Sequence, residues 1–210
     1  MPHDTSAIAD VSASEPTVSI EGTKTILLVG VGGQGTILAG NVLAMTAAAA
    51  GLDVKVSEIH GMSQRGGSVS TVIRVGEHVE SMIADPGCAD VVVAFEAVEA
   101  LRAQQFLRKG GTMFVNDEQI TPVSVHVGNF EMPSDVHERL EQIGAVLIPA
   151  GQIAREAGSP RSTNVVLVGA LSTALPFATE EWREAISKRV PAHTVEANLE
   201  AFERGRAAVQ

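Results

Sequence analysis

"TILLVGVGGQGT", residues 25–36, joins an apolar run to a glycine-rich turn. Its first half, Thr25-Ile26-Leu27-Leu28-Val29, is continuously apolar. Such a run suits a central strand buried on both faces, as in a parallel sheet. Gly30, Gly32 and Gly35 then satisfy G-x-G-x-x-G, and an alanine-rich stretch over 35–50 reads as a helix capped by Gly51. Strand, glycine turn and helix in that order have a physical use. Glycine permits positive φ and close approach of a ligand, and the first N–H groups of the helix favour an anion.

Outward from this unit the pattern alternates between strands and helices. "DVKVSEI" (53–59) reads as a second strand, and "SVSTVIRV" (68–75), "GEH" and "VESMIA" (79–84) together read as a hairpin, so the sheet is expected to be mixed. "ADVVVAF" (89–95) is another buried strand, followed by a helix from Glu96 that closes at Gly110-Gly111. Strands at 112–117 and 145–150, an extended piece at 121–127 and helices near 134–143, 150–158, 162–175 and 179–207 complete the chain, with a hinge at Val190-Pro191. The expected fold class is α/β, a three-layer Rossmann-like domain with a mainly parallel, partly mixed sheet and C-terminal helices. Residues 24–210 form this domain, and residues 1–23 read as a solvated or partner-ordered tail.

Composition excludes several functions. Aromatic residues make up 3% of the 210 positions and the formal net charge is −10, which suits neither stacking on single-stranded nucleic acid nor a polyanionic partner. The single cysteine, Cys88, allows no internal disulfide, cannot ligate an iron–sulfur cluster by itself and fits the cytoplasm. No apolar run approaches the roughly 20 residues that span a bilayer. The first 23 residues hold no Lys or Arg, unlike a secretory or transit leader.

A glycine loop alone leaves the ligand open. A dinucleotide would want an acid at the end of the second strand, and Glu58 stands there. The strand runs on, however, into a second glycine loop, "HGMSQRGG" (60–67), in which Ser63, Gln64 and Arg65 supply polar side chains between Gly61 and the pair Gly66-Gly67. Two such loops with one Arg make an anion cradle at a sheet edge. His60 has the chemistry of a general acid or base, against a packed or solvent-facing role. Asn116 and Asn164 sit at element ends, where Asn braces loops or helix starts.

"LLVGVGGQG", "SEIHGMSQRGGSV", "ADVVVAFEAVEALR" and "NVVLVGAL", in this order, resemble the gamma-type domain of 2-oxoacid:ferredoxin oxidoreductases, most closely the small subunits of the indolepyruvate branch, over about residues 24–205. The resemblance implies a subunit rather than a complete enzyme. The family decarboxylates a 2-oxoacid on thiamine diphosphate with Mg2+, passes electrons through [4Fe-4S] clusters to ferredoxin and transfers the acyl group to coenzyme A. It implies that a large partner subunit carries those cofactors and that the substrate is an aryl 2-oxoacid such as indolepyruvate. Gly32, Gly33, Gly35, Gly66 and Gly67 would then shape the shared site, with Gln34, Ser63, Gln64 and Arg65 reaching substrate or coenzyme A. Two other readings stay open from the residues: a stand-alone NAD(P)- or FAD-binding oxidoreductase, and a non-catalytic assembly module.

Overall fold

The computed structural model describes residues 17–60, 67–119 and 134–210, and His60 by its backbone alone. Six strands form one sheet: β1 (Lys24–Val31), β2 (Asp53–His60), β3 (Ser68–Gly76), β4 (Ala89–Ala94), β5 (Leu107–Asn116) and β6 (Val146–Ile148). Between and after them come α1 (Thr36–Ala49), α2 (Ala97–Ala103), α3 (Val136–Gln142), α4 (Ala150–Glu156), α5 (Thr163–Ser172), α6 (Thr179–Arg189) and α7 (Val195–Ala207). The spatial order is β2-β3-β1-β4-β5-β6, with β1, β4, β5 and β6 parallel and β3 antiparallel to both of its neighbours. The sheet is thus mixed, as expected.

Alternation along β1 builds two cores. Ile26 and Leu28 point to one face, where α1 and α4 to α7 pack, and Leu27 and Val29 point to the other, covered by α2 and α3. Within the first core Trp182 stacks on Phe202 and meets Phe177 edge-on. α5 lies inside it, with every residue from Asn164 to Ser172 buried. There α5 crosses α7 on two glycines: a methyl group on Gly205 would sit 2.0 Å from the Val166 carbonyl oxygen, and one on Gly169 2.2 Å from that of Phe202.

Three expectations are corrected. The hairpin is β2–β3, in register from Asp53↔Gly76 to His60↔Val69, and 79–84 is not a strand. That stretch is held as a strap by side chains: Asp53 accepts from the Val79 N–H, Lys55 donates to the Val79 carbonyl, and Arg74 donates to the carbonyls of Ser81 and Ile83. The helix after β4 stops at Ala103, and β5 begins at Leu107 rather than beyond the glycine pair. Gly110 takes φ +76° where the β4–β5 register shifts, and Gly111 lets β5 approach the Ala89 and Asp90 carbonyls, so the pair serves a bulge and not a helix end. β6 spans 146–148 only, because Ala150 already begins α4. The extended piece expected at 121–127 lies outside the described residues. Residues 17–23 pack on the domain through buried Ile20 and a Thr17 N–H bond to Ala50.

α1 leaves β1 toward one face and α2 leaves the adjacent parallel strand β4 toward the other. The carboxyl ends of β1 and β4 therefore flank a crevice, the position at which open α/β sheets bind ligands.

Candidate functional site

The floor of this crevice is the first glycine loop, and its shape is set by one side chain. Gln34 turns back so that its Oε1 accepts from the Val31 N–H at 2.7 Å while its Nε2 donates to the Phe95 carbonyl at 2.9 Å. The loop is thereby fastened both to its own strand and to the end of β4. Gly30 is required beneath it, because a Cβ there would meet Gln34 Oε1 at 2.7 Å and Phe95 Cβ at 2.9 Å. Gly35, at φ +85°, is the N-terminal cap of α1, and its carbonyl accepts from Asn164 Nδ2 at 3.4 Å. Asn164 reaches it from the first turn of the buried helix α5.

The two glycine loops meet. The Gly32 N–H donates to the Gly67 carbonyl at 2.9 Å, so the stem of the second loop is bonded to the crest of the first. Gly32, Gly33, Gln34, Gly35 and Gly67 thus share one rim. Ser63, Gln64, Arg65 and Gly66 lie outside the described residues, as does the His60 side chain. Gly33, at φ +103°, has open space where a Cβ would stand, and it faces the cavity.

That cavity, about 480 Å3, is walled by Gly33, Gln34, Asn116, Glu118, Arg161 and Thr163, among others. Asn116, buried at the end of β5, donates through Nδ2 to the Phe95 carbonyl at 3.2 Å and to Glu118 Oε2 at 3.0 Å. Both acceptors fix the amide orientation, which leaves Oδ1 buried without a donor. Arg161 stands exposed in the same lining and makes no ion pair among the described residues. The cavity therefore offers a cation, a carboxylate and amide groups within one lining. Beside it, buried Glu96 caps α2 through the Glu99 N–H, and buried Glu99 accepts from Ser68 Oγ and from Arg102, both at 2.6 Å.

Glu118 and Arg161 were missed from the sequence. Glu118 lies two residues after β5, in "NDEQ", and Arg161 two residues before α5, in "SPRST", and that placement at element ends is the signal that finds them. Glu58 is displaced from a dinucleotide-binding position: β3 lies between β1 and β2, which puts the acid two strand spacings, about 10 Å, from β1. Cys88 is half-buried at the turn before β4 and its N–H bonds to Asp85.

Residues 25–208, nearly the full domain, match the family described as pyruvate ferredoxin/flavodoxin oxidoreductase. The chain belongs to this family. It is 43% identical over 187 residues to the indolepyruvate oxidoreductase subunit IorB of Thermococcus kodakarensis, covering 86% of this chain and 93% of that one. The same subunit of Pyrococcus horikoshii is 41% identical over 192 residues, covering 86% and 93%. The gamma subunit of a keto/oxoacid ferredoxin oxidoreductase from Geobacter sulfurreducens shares the fold, with a TM-score of 0.66 at 23% identity over 89% of this chain and 98% of that chain. A 2-oxoglutarate:ferredoxin oxidoreductase from Magnetococcus marinus, solved with 2-oxoglutarate, coenzyme A and succinyl-CoA bound, also scores 0.66 at 24% identity, over 90% of this chain but 31% of that one. The chain is therefore a small subunit of a 2-oxoacid:ferredoxin oxidoreductase complex, of indolepyruvate type by its relatives. No helix among the described residues is long and apolar enough to cross a membrane.

Proposed function

We propose that this chain completes the active site of a complex that oxidatively decarboxylates aryl 2-oxoacids such as indolepyruvate, forming acyl-CoA and CO2 with reduction of ferredoxin in the cytoplasm. Thiamine diphosphate with Mg2+ would supply the electron sink for decarboxylation, and [4Fe-4S] clusters the path to ferredoxin, both on the large partner subunit. The residues of this chain do not fit a cluster, since Cys88 is its single thiol. Among the described residues no group of three His, Cys, Asp or Glu side chains could hold a metal ion.

The crevice does suit an anionic, amide-bearing ligand of the coenzyme A kind. The observation that carries this reading is the Gly32–Gly67 bond, which joins both glycine loops at the switch-point cavity faced by Arg161. In the proposed site, backbone N–H groups of Gly33 and Gly35 and the Arg161 guanidinium orient phosphate or carboxylate oxygens. Gln34 keeps the loop in the shape that aims those N–H groups, while Ser63, Gln64 and Arg65, between Gly66-Gly67 and β2, contribute contacts to oxoacid or coenzyme A. The bound form of the Magnetococcus marinus relative supports the class of ligand.

The test is reconstitution with the large subunit, followed by indolepyruvate- and coenzyme A-dependent viologen reduction. Arg65→Ala and Arg161→Ala should each raise the KM for coenzyme A. Unchanged kinetics in both variants would refute the assigned site. A chain that stays alone and retains NAD(P) or FAD would refute the subunit role itself.

A further inference from the structure

The two faces of the sheet are covered unequally. Five helices pack on one face; on the other, α2 and α3, of seven residues each, lie over β1, β4 and β5, and no described helix crosses β2 or β3. The bare half is not flat. Its floor is Leu27, Val29, Val72 and the small residues Ser57, Ser68 and Ser70, and it is walled by α2 on one side and the 79–84 strap on the other, enclosing a groove of about 290 Å3.

Six large apolar side chains are exposed among the described residues, and three of them, Ile59 (62%), Met82 (47%) and Ile83 (69%), form the lip of this one groove. The strap that carries two of the three is fastened by Asp53, Lys55 and Arg74. Rigid apolar groups held out to water are the pattern of a preorganised contact surface. The rim is of mixed charge: Arg102, largely exposed, pairs with Glu99 of the same groove, and Glu80 stands exposed on the strap. The groove is also continuous with the active-site rim, since Ser68 and Ile59 line it at the stem of the second glycine loop, and Gly67 is bonded to Gly32.

We propose that this groove seats an apolar segment of the large subunit. The proposal rests on the subunit role argued above. One partner then covers both the crevice and the bare half-sheet, and the fastened strap sets the angle at which it docks on the glycine loops.

The experiment is hydrogen exchange on the chain alone and in complex with the large subunit, together with affinities for the wild type and for Ile59→Asp/Ile83→Asp. Both substituted positions face solvent, so the variant should melt within a few degrees of the wild type, and the milder Ile83→Ser serves if it does not. Residues 57–59, 82–84 and 99–106 should gain protection in the complex, and the double variant should bind at least about 100-fold more weakly, as expected for two central apolar anchors. A wild-type complex with no protection there, or a variant within about threefold of wild-type affinity, overturns the groove assignment and leaves the subunit role standing. A homodimer of the free chain, broken by Ile59→Asp/Ile83→Asp while the complex persists, overturns it in favour of a second copy. Failure of the wild type to bind the large subunit refutes the subunit role, and the groove assignment falls with it.

Discussion

Replacing Gln34 by Leu tests whether the glycine loop is shaped by its own glutamine. The substitution keeps volume but removes two hydrogen bonds. The Val31 N–H loses its 2.7 Å acceptor, and an unmet interior donor costs about 1–3 kcal/mol. The Phe95 carbonyl loses the 2.9 Å donor but keeps Asn116 Nδ2 at 3.2 Å, so that loss is about 0.5–1 kcal/mol. Because Gln34 is only half-buried, water recovers part of the first term, and the sum is about 1–3 kcal/mol. For a chain of this size that lowers the melting temperature by about 2–12 °C. Gln34→Glu separates the two bonds. It retains the acceptor for Val31 but turns a carboxylate oxygen toward the Phe95 carbonyl. Its carboxyl is then raised in the folded state, so the variant should be weak at neutral pH and regain stability on acidification. Calorimetric melts of the isolated chain between pH 5 and 7.5 read both effects. A Gln34→Leu melt within about 1 °C of wild type would refute the bracing role.

Gly205→Ala forces a methyl group against the Val166 carbonyl, where backbone must move; it should cost at least about 3 kcal/mol and leave little soluble protein. Gly35→Ala meets both positive φ and the Asn164 amide at 2.3 Å, and a clear fall in thermal stability together with loss of complex activity is expected. Asp53 is held below its ordinary value chiefly by the Val79 N–H and further by Lys55 and His78. Its contribution is thus present above the unfolded value of about 3.9 and lost as pH falls through the lower folded value. Asp53→Ala should flatten the acid limb of a urea-stability profile by less than about 1 kcal/mol, since the pair is exposed. Arg161→Ala, at an exposed position, should leave the melting temperature unchanged while raising the KM for the anionic substrate.

Much of the fold is legible along the chain because β1, β4 and their helices are specified by local patterns: a continuous apolar run, a glycine turn, a 3.6-residue stripe. The pairing partner of β3 is not. Residues 53–59 and 79–84 both read as strands, and the choice between them depends on the tethers made by Asp53, Lys55 and Arg74 once the sheet exists. Gly110-Gly111 looks like a helix end because a bulge and a cap ask for the same residue. Within the site, the polar residue in the first glycine loop is visible in sequence, but its partners Val31 and Phe95 are not, and only the latter shows that it spans two strands. Arg161 and Glu118 converge from distant segments, so only the topology brings them to one cavity.

The burial of α5 has a consequence for how the chain is made. This helix is enclosed on its outer side by α7, through a crossing too close for any side chain but glycine, and α7 is synthesised after every other described element. On a ribosome the first core therefore waits, with an apolar helix uncovered, until α7 emerges. A stalled chain ending before Val195 should be recognised by holdase chaperones and cleared by proteases, whereas the glycine loop, early in the sequence, leaves the ribosome first and receives its Asn164 brace late.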